Sequence, residues 1–124
     1  MTDNEITEKI IGAAIEAHKE LGGSGLLEAV YEEALCHELK MLGLEFQRQV
    51  SCPIHYKNVE LSCPLRIDLL VENRIIVECK ATIVHNSIYA AQCLTYLRLT
   101  KKRIGLVLNF GCMYMRHGIE RVIN

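Results

Sequence analysis

The chain has 124 residues, half of them apolar, with slightly positive mean hydropathy and two prolines, which suffices to bury one hydrophobic core and fits a single domain over residues 1–124. It opens on the polar stretch MTDNEITEK rather than on a basic-apolar leader, and no apolar run approaches the roughly 18 residues that a bilayer crossing needs, so the composition speaks against a membrane protein and for a soluble cytoplasmic one. Net charge is −1, yet residues 1–45 carry ten acids and three bases while residues 46–124 carry five acids and eleven bases. The basic half suits a polyanionic partner; alternatively, the two halves neutralise each other across their contact.

Thr2 and Glu5 have capping-box spacing, and Ile6, Ile10, Ala13, Ala14, Ala17 and Leu21 recur at helical intervals, predicting an amphipathic helix over 3–21 that GGSG at 22–25 ends. A second helix is predicted over 26–42, with Leu27, Val30, Tyr31, Ala34, Leu35, Leu39 and Leu42 on its apolar side, Glu28 in its first turn and Gly43 as its stop. From Leu44 to Tyr56 the pattern alternates, placing Phe46, Val50, Cys52, Ile54 and Tyr56 on one face of a strand, and Lys57-Asn58 falls where a two-residue hairpin turn belongs. The return strand begins at Val59, is interrupted by Pro64 at a bulge or edge, and continues to Val71. A further strand is predicted over 75–81, a third helix over 86–100 capped by Asn86 or Ser87, a buried strand over 103–110 and a short last strand over 119–123. The order α, α, β, β, β, β, α, β, β describes an α/β (α+β) fold: a central mixed β-sheet containing an antiparallel meander, flanked by helices.

Six cysteines (Cys36, Cys52, Cys63, Cys79, Cys93 and Cys112) form no CxxC pair, and most lie in apolar stretches. Buried free thiols are expected rather than disulfides or zinc ligands.

The stretch IIVECKAT, 75–82, combines apolar residues with Glu78 and Lys80. If Glu72-Asn73-Arg74 forms a three-residue loop, Val71, Leu69, Ile67 and Leu65 face Ile75, Val77, Cys79 and Ala81 on a wholly apolar side. On the other side Asp68 meets Glu78 and Arg66 meets Lys80. Opposed Cβ atoms lie about 4.5–5.5 Å apart, so the two carboxylates come within reach of one ion, and like charges so placed need an offset. Arg66 and Lys80 would supply it, or a hard divalent cation such as magnesium or manganese.

Asp68 followed ten residues later by Glu78-x-Lys80 resembles the signature of the PD-(D/E)xK nuclease superfamily, the restriction-endonuclease-like fold. QCLTY, Gln92 to Tyr96, resembles the QxxxY motif of its RecB-like branch, and GLLEAVY at 25–31 resembles the motif of the GxxExxY protein family within that superfamily. Two departures stand out: Ile67 replaces the proline before the aspartate, and Cys79 replaces an aliphatic residue.

The resemblance implies a Mg2+- or Mn2+-dependent nuclease acting on nucleic acid, DNA more than RNA, or a non-catalytic nucleic-acid-binding or protein-interaction module on the same fold. It implies catalytic roles for Asp68, Glu78, Lys80, Gln92 and Tyr96. Asp68, Glu78, the carbonyl of Cys79 and Glu28 are the implied metal ligands, and a homodimer is compatible with so small a domain. Gln92 and Tyr96 are one helical turn apart, and Tyr89 and His85 extend that stripe toward the start of the helix, with His85 read as a loop residue. Arg66 contacts phosphate or balances the carboxylates.

Overall fold

The computed structural model describes residues 1–124. Helix α1 (Asp3–Glu20) starts at the expected capping box: the Glu5 N–H donates to Thr2 Oγ1 at 3.2 Å and the Thr2 N–H donates to the Glu5 carboxylate at 3.3 Å. Helix α2 (Glu28–Met41) begins two residues later than predicted and has no side-chain cap. The preceding loop is tied instead by Tyr31, whose hydroxyl donates to the Gly23 carbonyl at 2.5 Å and accepts the Leu26 N–H at 3.2 Å. Gly22, Gly23 and Gly25 all take positive φ there, which only glycine adopts freely.

The remaining elements are β1 (Phe46–Cys52), β2 (His55–Tyr56), β3 (Val59–Glu60), β4 (Leu65–Val71), β5 (Ile75–Lys80), α3 (Ile88–Thr100), β6 (Ile104–Asn109), a 3-10 turn at Met115–Gly118 and β7 (Ile119–Ile123). Five strands form one sheet in the order β1-β4-β5-β6-β7, antiparallel except for the parallel β5/β6 pair that α3 connects. The mixed sheet flanked by helices is that of a restriction-endonuclease-like fold. On one face lies the larger core, where Ile6, Ile10, Ala13, Ala14 and Ala17 of α1 and Tyr31, Leu35 and Leu39 of α2 pack on Leu69, Val71, Ile75, Val77, Leu106 and Leu108. The opposite face packs Cys93 and Leu97 of α3 on Leu65, Ile67, Leu70, Ile76, Val107 and Val122.

Strands β2 and β3 form a separate hairpin, turning at Lys57 and Asn58, both with positive φ as a two-residue mirror-image turn requires. Tyr56 is exposed rather than facing the core. Asn86 acts at the start of α3, where its Oδ1 accepts the Ile88 N–H at 2.9 Å, while Ser87 makes no cap bond.

The three-residue loop is present: Val71 pairs with Ile75, Leu70 with Ile76 and Leu69 with Val77. The ladder then ends, so the expected Ile67–Cys79 and Leu65–Ala81 oppositions do not form. The reason lies on the neighbouring strand. The β1–β4 ladder skips the Gln49–Asp68 pair, and Gln49 is left-handed at φ 50. Both strands turn over at that point. Phe46 and Leu69 pack toward α1 and α2, whereas Val50, Cys52, Ile54, Leu65 and Ile67 pack toward α3. The expectation that Phe46, Val50, Cys52 and Ile54 share one face is corrected accordingly.

Candidate active site

Where the β4–β5 ladder stops, the side chains of Asp68 and Glu78 replace it. The Cys79 N–H donates to Asp68 Oδ2 at 2.9 Å, and the Asp68 N–H approaches Glu78 Oε2 at 3.4 Å. Each carboxylate thus takes a backbone donor from the opposite strand, and the turnover at Gln49 and Asp68 opens the gap in which they sit. Glu78 is 4 % exposed, and its second oxygen, Oε1, is buried with no hydrogen-bond partner. Burial first, then the charge of Asp68, push the Glu78 carboxyl up to about 9. The expected apposition of the two carboxylates is met through side-chain-to-backbone bonds rather than by a ladder pair. Arg66 sits opposite Ser51 on β1, exposed and in no ion pair, so it does not balance them.

Helix α2 contributes from the other side. Glu28, in its first turn, is raised above the usual carboxylate range by burial and then by Asp68. One turn further on, Glu32 is buried, and the sequence reading missed it. Its Oε2 accepts from Arg48 Nη2 at 2.9 Å and its Oε1 from Gln49 Nε2 at 3.1 Å, which fastens the left-handed residue. Carboxylate oxygens of Glu32 and Asp68 and the Cys79 sulfur all lie within 4.8 Å of one another. A signal for Glu32 existed in the sequence: it is an acid at the i position of a stripe that continues with Cys36 and Leu39 at i+4 and i+7, both buried.

Lys80 follows Glu78 by two residues, and its ammonium lies 5.2 Å from the centre of the Tyr89 ring on α3. Gln92 is exposed on α3 and Tyr96 half-buried. Burial, then the charges of Glu78 and Asp68, raise the Tyr96 hydroxyl, while Gln92 pulls it back. Tyr96 therefore lies within the electrostatic reach of the two carboxylates. Cys79 is fully buried; its thiol is held protonated by burial and by Asp68, which leaves its backbone as the part available to a hard ion.

The donor set fits a divalent cation. Carboxylate oxygens of Asp68 and Glu32 converge beside Cys79, Glu78 next to Asp68 carries an orphaned buried oxygen, and no cation of the protein forms an ion pair with Asp68 or Glu78.

An aspartate and a Glu-x-Lys thus meet on adjacent strands of a mixed sheet, with acids of α2 nearby. The family model described as PD-(D/E)XK nuclease superfamily matches residues 4–122, nearly the whole chain, and the chain belongs to that superfamily. Nucleases of this superfamily generally use divalent metal ions. Searches of curated proteins and of solved structures returned no match. No helix is long and apolar enough to cross a membrane.

Proposed function

We propose that residues 1–124 act as one nuclease unit of the GxxExxY type, which uses Mg2+ or Mn2+ to hydrolyse phosphodiester bonds in nucleic acid, DNA in preference to RNA. The observation that supports this most is the buried, unpartnered Glu78 Oε1 beside Asp68. Two carboxylates held together out of water need a shared proton or a cation between them, and a bare structural role leaves that oxygen without purpose.

Asp68 and Glu78 would hold the ion, with the Cys79 carbonyl as a third oxygen and Glu28 completing the set directly or through water. A divalent cation bound there supplies polarisation of the scissile phosphate and a coordinated water of lowered pKa. The Lys80 ammonium would orient the attacking water or balance the charge that builds on the phosphoryl oxygens. Gln92 and Tyr96, spaced i to i+4 on α3, face the same ion or phosphate.

The test is an assay of the purified chain, with Mg2+, with Mn2+ and with chelator, on single-stranded, double-stranded and branched DNA and RNA. Cation-dependent cleavage is expected, falling by about 100-fold or more in Asp68→Ala and Glu78→Ala, together with loss of calorimetric Mn2+ binding in Glu78→Ala. Absence of cleavage on every substrate, or an Asp68→Ala variant as active as the wild type, sinks the enzymatic reading. Salt-sensitive binding that ignores both cation and Asp68→Ala would instead identify a non-catalytic binding module.

A further inference from the structure

After Lys80 the chain runs through residues 81–87 into α3, and this loop is fastened by a polar network that the chemistry above does not use. Its centre is Asn109, fully buried at the end of β6 and opposite Lys80 in the parallel register. Asn109 Oδ1 accepts two backbone N–H groups, those of Thr82 and Gly111, each at 3.0 Å. Two backbone donors fix which end of the amide is oxygen. Asn109 Nδ2 must therefore donate, and its partners are Thr82 Oγ1 at 3.1 Å and His85 Nδ1 at 3.2 Å.

The proton positions follow along the chain of contacts. His85 Nδ1 accepts, so the ring hydrogen is on Nε2, which faces Glu120 Oε1 on β7 at 2.6 Å. The Thr82 hydroxyl donates to the Val84 carbonyl at 3.1 Å and accepts the Tyr89 hydroxyl at 3.0 Å. The Tyr89 ring meets His85 edge-on, with centroids 5.5 Å apart and planes at 73°, and its face carries the Lys80 ammonium. Glycine permits the close approach this requires: a Cβ at Gly111 would overlap the Thr82 backbone, and one at Gly118 the Asn109 carbonyl.

A lysine stem has many rotamers to lose, and a cation is attracted to an aromatic face within about 6 Å. Whatever fixes the Tyr89 ring therefore fixes where the Lys80 ammonium spends its time. We infer that His85 and Glu120 are positioning residues for Lys80: Glu120, from the last strand, holds the His85 ring, His85 and Thr82 hold Tyr89, and Tyr89 holds the ammonium. The inference rests on the proposed catalytic role of Lys80.

The test combines NMR of the full chain, labelled at lysine and histidine, with steady-state cleavage. In the wild type, the Lys80 ε-protons are expected upfield of those of lysines that lie over no aromatic ring (Lys57, over Tyr56, is the other that does), shifted by the Tyr89 ring, with His85 Nδ1 unprotonated and Nε2 protonated. Tyr89→Leu should abolish the upfield shift. Glu120→Ala should reduce it and lower kcat on the order of tenfold with KM, melting temperature and Mn2+ affinity unchanged. Glu120→Gln, whose amide oxygen still accepts the Nε2 hydrogen, should restore both. Unshifted Lys80 signals in the wild type, the opposite His85 tautomer, a Lys80 signal indifferent to Glu120→Ala, or a moved signal with unchanged kcat each overturns the inference. If the Lys80 signal responds to Glu120→Ala as expected yet the wild type cleaves nothing, the nuclease reading fails while the positioning of Lys80 stands; if the wild type and Glu120→Ala cleave equally well, the reverse holds.

Discussion

Glu78 concentrates the tension of this molecule in one side chain. A carboxyl that ionises at 4.5 in ordinary surroundings holds its proton to about 9 in the fold, so between those values the folded state binds more protons than the unfolded one. The stability this contributes is fully present below about pH 4.5, declines as pH rises and is lost near pH 9. Thermal melts in chelator should show that decline, and Glu78→Gln should flatten it while raising stability near pH 8 by roughly 1–3 kcal/mol, because the wild-type carboxyl, ionised in the unfolded chain at that pH, must take up a proton to fold whereas the amide is neutral in both states. The same variant should lose Mn2+ binding, the usual exchange of stability against function. Thiol chemistry separates by burial in the same way. Burial raises Cys36 to about 11 and Cys93 to about 12, and Cys79 is sealed in the core, whereas Cys63 is exposed. Buried free thiols, expected from the apolar surroundings in the sequence, are found at these three; Cys52 and Cys112 are only partly covered, and exposed Cys63 departs from the expectation. A disulfide-exchange reagent at pH 8 should modify Cys63 first and reach Cys36, Cys79 and Cys93 only after denaturant is added.

Among the elements, α3 and β6 depend on a single missing methyl group. A Cβ at Gly105 would stand 2.6 Å from Cys93 Sγ and 3.3 Å from the Ile76 carbonyl, so the helix can settle on the sheet only because residue 105 is glycine. Gly105→Ala should cost about 1–3 kcal/mol by overpacking, read from the urea midpoint. In a Cys93→Ala background, where the nearest atom is gone, the penalty should shrink by about 0.5 kcal/mol or more. Strand alternation is legible in the sequence up to the point where it breaks: Phe46 and Val50 carry no mark that Gln49 between them is left-handed. That conformation is secured by Glu32 from α2, seventeen positions away in the chain. Local pattern cannot report a bond made by a distant helix.

Over the whole molecule, the acidic first third and the basic remainder do meet. Arg48 pairs with Glu32 at 2.9 Å and Arg74 with Asp3 at 2.6 Å, and Arg121 bonds to Asn4. Neutralisation is partial, because Lys57, Arg66, Arg98, Lys101, Arg103 and Arg116 are exposed and enter no ion pair. If these bases serve a nucleic-acid partner, the affinity of a cleavage-dead Asp68→Ala variant for a fluorescent oligonucleotide should fall on the order of tenfold or more between 50 and 200 mM salt. Charge reversal at Arg66, close to the site on β4, should reduce the steepness of that dependence. An affinity independent of salt would detach the basic surface from nucleic acid.

Local pattern suffices for the three helices, for the three-residue loop that aligns Asp68 with Glu78 and for the membership that the Asp68, Glu78 and Lys80 signature announces. These are short-range matters of period, turn length and spacing. The same pattern runs β1 and β2 together as one strand over 44–56, where the chain breaks into strands of two different sheets. How the two carboxylates are held depends on contacts made in the folded chain: a skipped pair opposite Gln49, a buried Glu32 behind it, and backbone donors crossing the gap between β4 and β5. The fold also joins Asn109, His85 and Glu120 behind Lys80. Each of those contacts links strands, loops and helices far apart in the chain, and the energy that selects them exists only once the cores on the two faces of the sheet have formed.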